Sequence, residues 1–161
     1  MPESKNTPQV KRLQGGILIP YNVQQITRTN EDDEQVTFYE FDRIKLNQHE
    51  LPGLNDVREY IVQQLREDLH VHVFTHYDLG SQNSINGMAQ RANRLDRTDI
   101  MDECEAILDW VGNCLGYYYT KKEALLGASD EVSLIEVAWN FEVNVPKPDA
   151  LKSLKEIRGM F

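Results

Sequence analysis

Two runs rich in β-branched and aromatic side chains, Ile17-Leu18-Ile19-Pro20-Tyr21-Asn22-Val23-Gln24-Gln25-Ile26-Thr27 and Val36-Thr37-Phe38-Tyr39-Glu40-Phe41-Asp42-Arg43-Ile44-Lys45-Leu46, flank the turn-like Asn30-Glu31-Asp32-Asp33-Glu34 and predict a β-hairpin. The alternation is imperfect, with Phe38 and Ile44 on one face and Tyr39 and Phe41 on the other. Such a hairpin carries apolar groups on both faces. No third strand is suggested nearby, and an isolated two-stranded hairpin is marginal in water, so it should pack on helices or on another subunit.

Beyond the Pro52-Gly53 punctuation the period changes from two to nearly four. Asn55 is a plausible N-cap for a helix from about 56 to 74, in which Val57, Ile61, Leu65, Leu69 and Val73 recur every four residues. Its end has two readings, because His70-Val71-His72-Val73-Phe74-Thr75 also alternates as a strand would. Gly80 ends either version, and a weakly buried helix over about 81–93 follows. The strongest helical pattern runs over 99–126, with Ile100, Cys104, Ile107, Leu108, Val111, Leu115, Tyr118 and Leu125 at steps of three and four. Gly112 and Gly116 interrupt it, each costing about 1 kcal/mol relative to Ala, so close approach of another helix is the expected compensation. This helix should pack antiparallel on the 56–74 element, the two sharing continuous apolar stripes. Ser129 can cap a short helix or turn from 130 towards 141, and 149–161 reads as a last short helix with Leu151, Leu154 and Ile157 on one side.

The pattern predicts an α+β fold in four stretches: a flexible arm over 1–14, the hairpin over 15–48, a small helical bundle as the body over 52–127, and short helices with a Pro-containing tail over 128–161. The arm holds two prolines and three basic residues, with too little apolar surface to fold alone, so order on a partner is expected. A length of 161 residues suits one domain with attachments. The formal net charge of -9, from 17 basic and 26 acidic residues, argues against a binder of phosphate backbones. The N-terminal stretch has no apolar run of the signal-peptide kind, and no segment reaches the ~18 apolar residues of a membrane span. The expectation is a chain made in a reducing cytoplasm. Cys104 and Cys114, on one helix and separated by roughly 15 Å along its axis at ~1.5 Å per residue, cannot bridge each other there.

Candidate chemistry is sparse. His70, His72 and His76 form the one metal-like cluster, with His72 and His76 sharing a helical face, but the cluster lacks a complete ligand set and is interleaved with Val71, Val73 and Phe74 as core residues would be. Glu31 to Glu34 lack the glycine and spacing of a calcium loop, and Asp102, Glu103 and Glu105 occupy the polar side of a helix. Cys104 has no activating neighbour, and phosphate-binding glycine loops are absent. The reading is no enzyme, with no catalytic, cofactor-binding or metal residue. Tyr117, Tyr118 and Tyr119 cover about 200° of a helix and cannot all face one core, so at least one is expected at an interface, where Tyr and Trp are enriched. Trp139 and Phe141, next to Pro146 and Pro148, look like an anchored tail. With the hairpin residues Ile17, Ile19, Tyr21, Phe38, Tyr39 and Phe41, and with Phe161, these complete the set of candidate contact residues.

The order of elements resembles a group of small proteins encoded among the tail, baseplate and tail-fibre genes of bacteriophages. The resembling stretches are Ile17-Leu18-Ile19-Pro20-Tyr21-Asn22 with Tyr39-Glu40-Phe41-Asp42; His76-Tyr77 followed by Gln82 and Ile85; Ile107-Leu108-Asp109-Trp110-Val111; and Val145-Pro146-Lys147-Pro148-Asp149 followed by Leu154 and Ile157. The chain departs from those proteins at Gly80-Ser81, where they often carry a basic or aromatic residue. The resemblance implies a structural subunit of the virion tail, made in the host cytoplasm and placed at the baseplate or fibre attachment region, with other tail proteins as partners in a symmetric assembly. It equally admits a fibre-assembly chaperone that leaves the finished particle. An acidic inhibitor mimicking nucleic acid is the reading from another class, which the charge permits.

Overall fold

The computed structural model describes residues 2–13, 16–47 and 53–161; Met1, Gln14, Gly15 and 48–52, including Pro52 of the predicted turn, lie outside them. Among the described residues four strands come first, β1 (Glu3–Ser4), β2 (Lys11–Leu13), β3 (Gly16–Thr29) and β4 (Gln35–Leu46). Six helices follow: α1 (Leu54–Phe74), α2 (Leu79–Arg94), α3 (Thr98–Gly127), α4 (Glu131–Ile135), α5 (Phe141–Asn144) and α6 (Leu154–Arg158). The fold is α+β. By internal contacts the chain divides into two units, one of Met1–Leu65 with Lys121–Trp139, the other of Arg66–Thr120 with Asn140–Phe161.

In the first unit the expected hairpin is the centre of a four-stranded antiparallel sheet in the order β1-β4-β3-β2. The expectation of two strands is therefore corrected. Lys11 pairs with Leu18 and Arg12 with Ile17 on one edge, while Glu3 pairs with Glu40 and Ser4 with Tyr39 on the other. The segment read as an arm supplies both edge strands. Its composition shows that it cannot build a core, but an open strand edge needs only backbone N–H and C=O groups, which any sequence offers. The tip is closed by Asn30, whose side-chain oxygen accepts from the backbone N–H groups of Asp32 and Glu34 at 3.0 and 2.8 Å. At Gly16 an added Cβ would lie 2.8 Å from the Leu46 carbonyl oxygen, so only glycine permits that approach.

The register breaks between Tyr21 and Gln24, a β-bulge in which Asn22 adopts a positive φ of 52°. Before the bulge, Ile17, Ile19 and Tyr21 point into the core of the unit, and Leu18 and Pro20 point the other way. That core is completed by Val57, Ile61 and Leu65 of α1, Leu125 of α3, Leu134 and Ile135 of α4, and Trp139. Asn55 is not an N-cap, since α1 already includes Leu54; its side chain accepts instead from the Arg58 guanidinium. Arg58 also donates to the carbonyls of Leu125 and Ala128 at 3.0 and 2.6 Å, serving C-terminal groups of α3 that have no partner within the helix. The first turns of α1 thus meet the last turn of α3. Asp130, rather than Ser129, caps α4 by accepting from Ser133 N–H at 2.7 Å.

In the second unit α1 runs helical to Phe74, which decides the two readings of 70–76. The core holds Leu69, Val73, Tyr77, Ile85, Ala92, Ile100, Cys104, Ile107, Trp110, Val111, Cys114, Tyr118, Phe141 and Ile157. Two members of the expected α3 stripe leave it: Leu108 is half-buried and Leu115 is 41% exposed. The glycine expectation is corrected too, because a Cβ at Gly112 or Gly116 would meet nothing within 4 Å. The C-terminal residues are pinned by polar contacts. Tyr77 O–H donates to Lys152 carbonyl at 2.7 Å, Arg97 donates to Met160 carbonyl at 3.0 Å, and Ser153 and Glu156 form a reciprocal capping box on α6.

Candidate contact surfaces

Six of the candidate contact residues serve their own chain. Ile17, Ile19, Tyr21, Tyr118, Trp139 and Phe141 are buried in the two cores and are corrected as surface contacts. Tyr21 and Trp139 stack at 5.7 Å between ring centroids. Beside them Asn22, 5% exposed, donates from Nδ2 to the Trp139 carbonyl at 3.0 Å and accepts from Trp139 N–H at 2.7 Å. One side chain thereby mimics a strand partner for Trp139. No local pattern announces this pairing, although Asn is among the few residues that tolerate a positive φ.

The tyrosine run divides as its 200° spread requires. Tyr118 faces the core and Tyr119 is 56% exposed. Tyr117 lies between: its hydroxyl oxygen accepts from Asn140 N–H and Asn144 Nδ2 at 3.0 and 3.1 Å, and its ring meets Phe141 edge-on. Pro146 and Pro148 are exposed, and the Phe161 ring lies 4.4 Å from the Arg91 guanidinium. On the sheet, Phe38, Tyr39 and Phe41 are half-buried. Phe38 shares a face with Ile26 across the ladder, while Tyr39 and Phe41 share the opposite one. Phe41 borders a cleft of about 390 Å³ between 4–11 and that outer sheet face, with Leu18, Pro20 and Arg43 as its floor.

The histidines are separately engaged. His70 stacks on Phe74 at 4.8 Å, and His76 lies exposed with its ring 6.0 Å from that of Trp110. His72 is buried, with Nδ1 3.0 Å from Glu142 Oε1 and Nε2 2.8 Å from the Val145 carbonyl, which also accepts from Trp110 Nε1 at 3.1 Å. Among the described residues no group of three or more His, Cys, Asp or Glu is placed to hold a metal ion. Burial raises both thiols, Cys114 up to about 11 and Cys104 with further help from Glu103 and Glu105. Each stays protonated, and so poorly nucleophilic, at neutral pH. Glu103 pairs with Lys152, and the acidic tip residues Glu31 to Glu34 are exposed.

The surface that sequence reasoning missed lies on α3. In the second unit Leu115 and Tyr119, exposed by 41% and 56%, line up with the half-buried Met101 and Leu108. The signal was available: 101, 108 and 115 are spaced by seven, as are 105, 112, 119 and 126. No helix among the described residues is long and apolar enough to cross a membrane. No family model matches the chain, and comparison with curated proteins and with solved structures yields no significant match.

Proposed function

We propose that the chain is a structural subunit of a bacteriophage tail, at the baseplate or the fibre attachment region, and works by protein–protein contact without catalysis. The observation that carries the contact reading is the hairpin beyond its bulge. There Ile26, Val36 and Phe38 on one face and Tyr39 on the other stay only partly covered. Apolar side chains left on both faces of a narrow ribbon favour insertion between neighbouring subunits. The tail setting rests on the resemblance of the hairpin, the Trp110 region and the Pro146–Pro148 tail to proteins of tail gene clusters. The protonated thiols and the engaged His72 support a role without chemistry.

The test is mass spectrometry of purified particles from a lysate in which the chain is expressed. A fixed copy number per particle is expected. Presence in the lysate with absence from the particles overturns the structural reading in favour of an assembly chaperone. Competition with DNA for a nuclease overturns both in favour of an acidic mimic.

A further inference from the structure

The four-stranded sheet of the first unit sorts its charges by face. The pairing register puts its carboxylates, Glu3, Glu40 and Asp42, on the inner face with Arg12 and Arg28. Both arginines are paired, Arg12 with Glu131 and Arg28 with Glu3 and Glu40. The outer face carries Lys11, Arg43 and Lys45 and, among the described residues of the sheet, no carboxylate. None of these three cations forms an ion pair with a described residue. In a chain of net charge -9 this face is a positive patch whose self-repulsion an anion would relieve.

The patch surrounds the cleft of about 390 Å³ under residues 4–11, which Lys11 and Arg43 both line. Lys11 stands one strand to one side of Leu18 and Arg43 one strand to the other side of Pro20, so their Cα atoms lie roughly 12 Å apart at ~4.8 Å per strand and ~3.4 Å per residue. Two long side chains reaching inward across that span can close on one anion. Between them the floor is apolar, with Pro20 buried and Leu18 and Phe41 half-buried.

We propose that this cleft binds a small organic carboxylate with an aromatic body, the ring on Leu18, Pro20 and Phe41 and the carboxylate between Arg43 and Lys11. Each half of the lining selects one half of the ligand. The Arg43 guanidinium offers a planar fork that matches both oxygens of a carboxylate, and Lys11 adds a second positive charge from across the floor. The apolar floor gains only if the ligand brings a ring to cover it, so a compact inorganic anion uses half of the site. The volume falls within the ~300–1,000 Å³ of small-ligand pockets. The amide of Gln9 and the hydroxyl of Thr7, from the segment above the floor, supply neutral polar groups at the rim.

The experiment is an amide-detected NMR titration of the full chain with N-acetyl-phenylalanine, at about 50 mM salt to limit screening. Thermal melts confirm that each variant is folded. Binding with a Kd of about 0.1–1 mM is expected, with shifts centred on residues 6–9, 18 and 41–43. N-acetyl-phenylalaninamide, which keeps the ring but has no charge, and inorganic phosphate, which has charge but no ring, should each bind at least about tenfold more weakly. Arg43→Gln and Lys11→Gln, both at exposed positions, should each weaken N-acetyl-phenylalanine by about 3–10-fold. Lys45→Gln, on the same face but outside the lining, should cost less than about twofold. Absence of shifts up to about 10 mM ligand overturns the proposal. So do shifts centred elsewhere, equal binding of the amide or of phosphate, and wild-type affinity in both lining variants. None of these outcomes depends on the tail assignment, which is read from particles.

Discussion

Replacing Asn22 by Ala removes at once both of its side-chain bonds to Trp139, one with a buried N–H and one with a buried carbonyl. Each bond lost at a buried polar group costs about 1–3 kcal/mol. Ala must also hold the φ of 52°, a conformation that costs an ordinary L-residue about 1–2 kcal/mol. The expected loss is about 3–6 kcal/mol, a large share of the 5–15 kcal/mol typical of a domain. Asn22→Gly separates the two causes, because glycine accepts the positive φ yet supplies neither bond; it should lose about 1 kcal/mol less than Ala. Urea titration followed by far-UV circular dichroism measures both, provided the slope is unchanged. A loss below about 1 kcal/mol for Asn22→Ala would refute the reasoning, showing that water or a backbone shift replaces the amide at the bulge.

Gly87→Ala and Gly116→Ala should each stabilise the chain by about 0.5–1 kcal/mol, since both lie in helices with nothing within 4 Å of the added methyl; a lower urea midpoint would reveal a contact the geometry does not contain. Backbone and side-chain bonds from Ser81, Ser133 and Ser153 lower the acids Asp78, Asp130 and Glu156, and Arg97 lowers Asp99. Their folded pKa values lie below the unfolded ones, so this stabilisation is present above about pH 4 and is lost as pH falls through the folded values. Thermal midpoints should therefore be level from pH 7 to 5 and drop towards pH 3, and a midpoint that rose on acidification would contradict the capping roles. Cys114, raised by burial to about 11, should resist iodoacetamide at pH 8 until denaturant is added, with alkylation of the native chain at the rate of a free thiol as the contrary result.

What the sequence displayed was periodicity, and what it hid was pairing between distant segments. The four-residue recurrence of Val57, Ile61, Leu65, Leu69 and Val73 marks them all as buried, the first three in the core of one unit and the last two in that of the other, because a four-residue step keeps side chains on one face of a helix. The alternation of β3 and β4 fixes which residues share a face for the same local reason. Asn22 with Trp139, Arg58 with the end of α3, and His72 with Glu142 each join residues far apart in the chain, and no local pattern announces them. The edge strands β1 and β2 were hidden differently: edge pairing is a backbone property, to which side-chain composition is nearly blind.

The error on α3 has a single physical origin. A search at steps of three and four gathers any apolar residue near a common direction, and α3 carries two apolar directions rather than one. Cys104, Ile107, Val111, Cys114 and Tyr118 face the core of their own unit, while Leu108 and Leu115 sit roughly 60–100° round, at 100° per residue, with Met101, Tyr119 and Leu126. Merged into one stripe, the two faces hid the second. Gly112 was misread as a consequence, since a glycine inside a core stripe implies close approach within the chain. On the outer face a Cβ at the same position would meet nothing within 4 Å, so no close approach within the chain offsets the cost of about 1 kcal/mol for a helical glycine.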